Sequence, residues 1–375
     1  MSQRVWGEGR ALSNRADETG RRPTIKDVAA RAGVSFKTVS RVMNRDARVN
    51  SGMRAAVEAA MAELDYRPHR AARALRGNRT YAIALLAGAR DEPLQRGTVP
   101  FPEYLGEVIA GCTQACRPAG FHLVLELLAY GDRRKASAMA AALLDDLAPD
   151  GVVLTPPLCD LDWLLDLLDQ RGIACVRLMP GTALDRGACL AVDDFAAARG
   201  LTQRLVAAGH RHLAFIAGPP DHLAADARRQ GFEAALAACP TARASIGAGD
   251  FFHASGEREA ACLLSQPDRP TALFAANDSM AAGALKAAAA LGLAVPGDVA
   301  IAGFDDSSIA SLTSPALTSV RQPTGELARR AAAILVAAAN AGAPPPSELL
   351  RLGCTLVERE STRPPHSQSQ GDRLP

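Results

Sequence analysis

The spacing of apolar residues changes along the chain, and each change predicts a different kind of element. Between Thr24 and Tyr66 apolar residues recur at three- and four-residue intervals, the period of amphipathic helices. Thr24 can cap the first helix with Asp27 as its capping-box partner, and Gly33 can supply the left-handed residue that ends it. Ser35 caps a second helix that opens at Phe36. Val28, Val39 and Val42 supply the apolar contacts between the two helices, and so short a connection forces a steep crossing, the geometry of a helix-turn-helix. A third helix starts from a cap at Asn50, places Met53, Val57, Ala60, Met61 and Leu64 on one face, and stops at Tyr66-Arg67-Pro68, where proline disfavours helix in the residue before it.

Beyond Arg79 short apolar runs alternate with helical stretches. Strands are predicted near Tyr81–Gly88, Phe121–Leu128, Gly151–Pro157, Ile173–Met179, Leu213–Gly218, Thr271–Asp278, Val299–Asp306 and Leu317–Gln322, with helices between most of them. Such alternation predicts parallel sheets covered on both faces by helices. Ligands of open sheets of this kind bind beyond the carboxyl ends of the strands. Three polar stops stand at such ends: Gly218-Pro219-Pro220-Asp221-His222, Ala276-Asn277-Asp278 and Gly303-Phe304-Asp305-Asp306. Asp278 and Asp306 read more simply as helix caps, but the stops together suggest a pocket for a neutral, hydroxyl-rich ligand.

Charge sharpens the division. Residues 1–79 hold 17 basic against 8 acidic residues, a net of +9, whereas the remaining 25 basic and 32 acidic residues give −7. A small basic head on an acidic body suits a module that binds a polyanion. In a helix-turn-helix the start of the second helix reaches base edges in the major groove. Phe36, Lys37 and Arg41 occupy those positions; Lys37 and Arg41 suit guanine and Phe36 a thymine methyl. Thr24, Ser35, Thr38, Ser40, Asn44 and Arg48 are small or basic groups suited to phosphates, which set register. Next comes His69-Arg70-Ala71-Ala72-Arg73-Ala74-Leu75-Arg76-Gly77, too short to be a stable helix in water but alanine-rich enough to form one on DNA. Leu75 among arginines suits a wedge in the minor groove, and packing onto the body behind it is the simpler alternative. Tyr66, His69, Arg70 and Arg73 complete the expected DNA-facing set.

Other chemistries leave no signature. The eight cysteines form no CxxC pair, the seven histidines close no zinc spacing, and they read as reduced core residues and solvated or structural histidines. No GxGxxG, phosphate-binding loop, GxSxG or metalloprotease motif occurs, and no cofactor is expected. No run resembles a signal peptide or a membrane span, so a cytoplasmic protein is expected. Residues 1–22 and 361–375 read as disordered extensions.

TIKDVAARAGVSFKTVSRVMN, AAMAELDYRPHRAARALRG, RLVAAGHRHLAFIAGPP, ANDSMAAGAL, IAGFDDS and PALTSVRQP, in that order, resemble blocks of the LacI/GalR-type bacterial repressor family over about residues 24–360. The resemblance implies a homodimer gripping a near-palindromic operator. It implies a head at 23–68, a hinge helix at 69–78 and a periplasmic-binding-protein-like core at 79–360. That core comprises two doubly wound parallel-sheet subdomains, one of about residues 79–191 and 321–340 and the other of about 192–318 and 341–360, with the last crossing after Asn340. It places base reading on Phe36, Lys37 and Arg41, and the hinge leucine on Leu75. It implies effector contacts by Arg228, Phe251, Asn277 and Asp305, with Tyr104, His222 and Thr155 as further wall residues. Departures are Gly52 early in the third helix, Met179 where an aspartate often helps hold a sugar, and an insertion at Arg90–Val99; the leucine heptads of a tetramer are missing, which favours a dimer. A free-standing solute-binding protein would need an export signal and no head, and a sugar-modifying enzyme would need a nucleophile or acid–base pair. The expected function is therefore a repressor controlled by a small-molecule effector, a sugar or a derivative of one.

Overall fold

The computed structural model describes residues 23–43, 46, 48–66, 79–89 and 104–362. The chain divides into two units at Asn78/Arg79.

The first unit holds helices α1 (Ile25–Arg31), α2 (Phe36–Met43) and α3 (Ser51–Glu63). The punctuation works as the local chemistry demands. The Asp27 carboxylate accepts from both the backbone N–H and the hydroxyl of Thr24, each at 2.6 Å. Gly33 is left-handed at φ +62°. Ser35 Oγ accepts from Thr38 N–H at 3.1 Å, and Asn50 Oδ1 accepts from Gly52 N–H at 2.7 Å, so the glycine at that position leaves the cap intact. Val28, Val39, Val42, Val57, Ala60 and Tyr66 close the core. Two expectations are corrected. Met53 is half exposed and outside the core, because it lies on the flank of α3 that the other helices leave uncovered. Helix α3 ends at Glu63, before Tyr66, because Asp65 turns left-handed at φ +43°.

The second unit contains two six-stranded sheets. The first combines β1 (Ala82–Ala89), β2 (His122–Ala129), β3 (Gly151–Leu154), β4 (Cys175–Leu178), β5 (Ala188–Val192) and β11 (Leu349–Leu352) in the order β11-β5-β4-β3-β1-β2, all parallel. Helices α4 (Tyr104–Cys116), α5 (Arg133–Leu147) and α6 (Asp162–Gln170) belong to it, as does α12 (Thr324–Ala341). The second combines β6 (His212–Ala217), β7 (Arg243–Ala248), β8 (Ala272–Ala275), β9 (Ala300–Asp305), β10 (Thr318–Arg321) and β12 (Thr355–Val357) in the order β12-β10-β9-β8-β6-β7. Only β12 runs antiparallel, against β10. Helices α7 (Asp194–Ala207), α8 (Leu223–Ala237), α9 (His253–Leu264), α10 (Asp278–Ala290) and α11 (Ser308–Leu312) belong to this second sheet.

Both sheets therefore repeat one topology, whose order reverses beside β1 and beside β6, and such reversals open crevices at the carboxyl ends of strands. The apolar runs make the cores: one cluster fills the second subdomain, and two cover the two faces of the first sheet. All eight predicted strands are present, while β5, β7, β11 and β12 were not predicted. β7 and β11 are edge strands with partly exposed residues, so they lack the apolar run that marks a central strand. The final crossing also differs from expectation. Residues after Asn340 stay with the first sheet because β11 pairs with β5, and the chain crosses only at Gly353-Cys354. The cysteines are free; Cys112, Cys116, Cys159, Cys175 and Cys189 are core residues as expected, but Cys262 is exposed. Among the described residues no helix is long and apolar enough to cross a membrane.

Candidate functional site

In the head, the residues at the start of α2 face solvent. Phe36 is 46% exposed, and Lys37 and Arg41 are exposed beside it. Thr38 is tied to Ser35, and Ser40 is half-buried. Arg48 forms a fork on Asp46, with its Nε and Nη2 each at 3.1 Å from the carboxylate, and Arg41 lies 4.0 Å from the same group. The Arg48 guanidinium holds the Asp46 carboxyl below its ordinary range. The Arg48 side chain is 83% exposed, so solvent screens this pair and it holds the guanidinium only weakly. Two expected contacts change character: the Thr24 hydroxyl is engaged by Asp27, and Tyr66 is buried at 8% exposure in the core, which makes it a packing residue. Asn44, His69, Arg70, Arg73, Leu75 and the Arg90–Val99 insertion lie outside the described residues.

The second unit brings the strand-end residues together. Tyr104, Met179, His222, Arg228, Phe251, Asn277, Asp305 and Gln322 line a narrow cavity of about 20 Å³ between the subdomains. Arg228, 4% exposed, is its electrostatic centre. Its Nε donates to Asp194 Oδ1 at 2.8 Å, its Nη1 donates to the Ala276 carbonyl at 2.7 Å and lies 3.5 Å from Asp305 Oδ1, and its guanidinium sits 3.9 Å above the Phe304 ring. Asp305, at φ +105°, accepts from Gln322 Nε2 at 2.6 Å. Burial raises the Asp305 carboxyl well above its ordinary range, while Arg228 opposes the shift. Burial raises Asp194 in the same sense, again opposed by Arg228. One arginine facing two carboxylates leaves no uncompensated positive charge to receive an anion.

The other wall groups are neutral. His222 caps α8 by accepting from Ala225 N–H at 3.3 Å, and its ring meets Phe251 edge-on at 4.8 Å. Burial first and Arg228 second push its pKa down to about 3, so it is uncharged at neutral pH. Asn277 is committed at both ends, accepting from Met280 N–H at 3.0 Å and donating to the Phe251 carbonyl at 2.9 Å. It shapes the wall and holds Phe251, itself left-handed at φ +72°. Tyr104 is held by a hydrogen bond with Thr155, and burial raises its hydroxyl pKa. Thr155 is fully buried behind Tyr104 and also donates to the Leu86 carbonyl at 3.3 Å, so it supports the wall rather than forming it. Neither Asp278 nor Asp306 caps the helix after it: Asn277 caps α10, Asp278 accepts from the distant Ser307 N–H at 2.7 Å and Ser319 hydroxyl at 2.6 Å, and Asp306 pairs with Arg321 and Arg359, each at 2.6 Å.

Two residues at the centre were not singled out by sequence. Asp194 follows β5, a strand whose short run ACLAV was not predicted, so the strand-end rule had nothing to act on. Gln322 follows β10, and its Oε1 is buried without a hydrogen-bond partner, an acceptor left over at the cavity wall. Outside Tyr104, His222 and Phe251 a second hollow of about 60 Å³ continues past Tyr130, Pro157, Pro219 and Phe252, with a largely apolar and aromatic lining.

A helix-turn-helix head and a two-subdomain body with a polar cleft between the subdomains define a ligand-binding transcription regulator. Residues 24–69 match the family described as bacterial regulatory proteins, lacI family, and residues 202–362 match a periplasmic binding protein-like domain. The HTH-type transcriptional regulator CelR of Thermobifida fusca is 37% identical over 349 residues, covering 92% of this chain and 99% of that protein. The HTH-type transcriptional repressor PurR of Proteus mirabilis is 37% identical over 323 residues, covering 84% of this chain and 89% of its own. Among solved structures, a CelR–cellobiose complex superimposes with TM-score 0.66 at 34% identity, covering 91% of this chain and 100% of that one. A lac repressor dimer bound to operator and the anti-inducer ONPF superimposes with TM-score 0.75 at 26% identity, covering 91% and 99%. The chain belongs to the LacI family of bacterial transcriptional regulators, and these relatives are regulators, not enzymes.

Proposed function

We propose that the chain is a cytoplasmic repressor that binds a near-palindromic operator as a homodimer, and that an uncharged sugar bound in the cavity between its subdomains sets its operator affinity. The observation that carries the effector class is the charge balance around Arg228: Asp194 and Asp305 already satisfy it, so a phosphate or carboxylate would enter next to two acids. A sugar hydroxyl pair instead can accept from the guanidinium and donate to the Asp305 carboxylate and to Gln322 Oε1. Phe251 and Met179 offer apolar surface to a ring face, and the aromatic outer hollow suits a second ring. The ligand of the CelR complex, cellobiose, is a neutral sugar of two rings and agrees with this class. Lys37 and Arg41 read bases, Phe36 touches a thymine methyl, and Ser35, Thr38 and Arg48 hold phosphates. The hinge roles of His69, Arg70, Arg73 and Leu75 belong to the same proposal.

The test is a thermal-shift screen of neutral mono- and disaccharides against their phosphates and against nucleobases, followed by operator titration with each hit. A ligand at about 100 times its dissociation constant stabilises by about 2.7 kcal/mol, which a melt resolves. Stabilisation by sugar phosphates or nucleobases and by no neutral sugar would overturn the effector class.

A further inference from the structure

Among the described residues the largest fully buried side chain is an arginine that takes no part in the cavity. Arg177, on β4, has no exposed surface. Its Nε donates to the Cys159 carbonyl at 2.6 Å; its Nη1 donates to the carbonyls of Ala183 at 2.5 Å and Arg186 at 3.2 Å; its Nη2 donates to the Thr182 carbonyl at 2.7 Å and to Asp160 Oδ1 at 3.2 Å. That Asp160 oxygen also accepts from the N–H of Gly181 at 2.9 Å and from the N–H and hydroxyl of Thr182, each at 3.1 Å. A guanidinium buried this deeply persists only when its donors are satisfied and its charge is paired. Here the Cys159 carbonyl and the Asp160 carboxylate satisfy it from one side, and three carbonyls of one loop, residues 179–187, satisfy it from the other.

That loop reaches the other subdomain. Met179, which enters it, is left-handed at φ +50° and lines the cavity. A non-glycine residue holds that conformation only where its surroundings over-determine it. Two residues on, Gly181 lies so close to Leu223, the first residue of α8, that an added Cβ would stand 2.6 Å from Leu223 Cβ and 2.7 Å from its Cδ1. Leu223 follows His222, the cap of α8 and a wall of the cavity. Gly181 and Leu223 thus meet across the cleft, apart from the three crossings of the chain.

We propose that Arg177 and Asp160 are positioning residues, a buried brace that shapes loop 179–187 so that Gly181 seats on Leu223 and holds the cleft closed over the cavity. The inference goes beyond the proposed function and does not depend on the effector being a sugar. The brace acts on closure because the seat joins two bodies that otherwise pivot about the crossings at Val192-Asp193, Gln322-Pro323 and Gly353-Cys354.

Hydrogen–deuterium exchange on the full chain tests it. In Asp160→Ala, the amides of Gly181 and Thr182 lose their acceptor, and both the 179–187 segment and residues 222–226 at the start of α8 should exchange about tenfold faster. A merely local role would speed the loop and leave 222–226 at the wild-type rate, and that result would overturn the proposal. Should Asp160→Ala unfold, seen as fast exchange in β3 and β6 as well, Gly181→Val decides the matter with the brace intact. It should leave Thr182 and Arg186 protected and speed 222–226 by about tenfold. Unchanged exchange at 222–226 in Gly181→Val would overturn the proposal as well.

Discussion

Replacing Arg228 by methionine asks what holds the cavity together. Methionine keeps apolar contact with Phe304 but removes the partner 2.8 Å from Asp194 and 3.5 Å from Asp305. Asp305 retains the amide of Gln322, whereas Asp194 loses its charged partner in a site that is 7% exposed. Breaking a buried pair by removing one member costs about 3–5 kcal/mol, chiefly the desolvation of the charge left behind. The sign with pH follows from the carboxylates. Burial already raises both above their ordinary range, and loss of Arg228 raises them further, so the folded variant binds protons that the unfolded chain has released. Stability of the variant therefore falls as pH rises from the ordinary carboxylate range, and its deficit is largest at neutral pH. Acidification should recover about 1.4 kcal/mol per pH unit for each group that stays protonated in the fold. Urea denaturation at pH 7.5 and 5.5 measures this, and adding Asp194→Asn should restore about 1–3 kcal/mol at the higher pH. A deficit below about 1 kcal/mol at pH 7.5, or one equal at both pH values, would refute the reasoning.

Three further outcomes are expected. Asp305→Asn keeps the shape and the Gln322 contact, so operator affinity should stay within about tenfold of wild type while the response to the effector found by the sugar screen disappears; a response at the wild-type ligand concentration would place the pocket elsewhere. Arg41→Ala should relax preference at one base pair per half-site, whereas Arg48→Ala should weaken all sequences alike and reduce the salt slope by about 1; competition binding against single-base operator variants separates them, and two uniform losses would show that α2 is misassigned as the reading helix. His222 is neutral in the fold and protonates when unfolded below its ordinary pKa of about 6.5, so it removes stability as pH falls from there toward about 3. His222→Asn, which keeps a cap acceptor for Ala225, should lose up to about 2 kcal/mol less than wild type between pH 7 and 5, and parallel pH profiles for the two proteins would count against the shift.

The head was legible residue by residue because its signals are local. Capping by Thr24, Ser35 and Asn50 and the turn at Gly33 depend on neighbours within four residues, and Val28, Val39, Val42 and Val57 need only helical periodicity to find one another. Met53 and Tyr66 escaped because burial at the edge of a small core depends on which flank the other helices cover. In the body, central strands announced themselves as apolar runs, and the strand-end rule led to His222, Asn277 and Asp305. Sequence by itself determined the class of protein, the two parallel sheets and the chemical character of the cavity's C-terminal wall. Only the tertiary structure decided that Asp194 and Gln322 join Arg228 and Asp305, that Thr155 stands behind Tyr104, and that β11 returns to the first sheet before the last crossing. Those facts rest on contacts between residues 17 to 160 positions apart, and no local propensity encodes which distant carboxylate a buried guanidinium will meet.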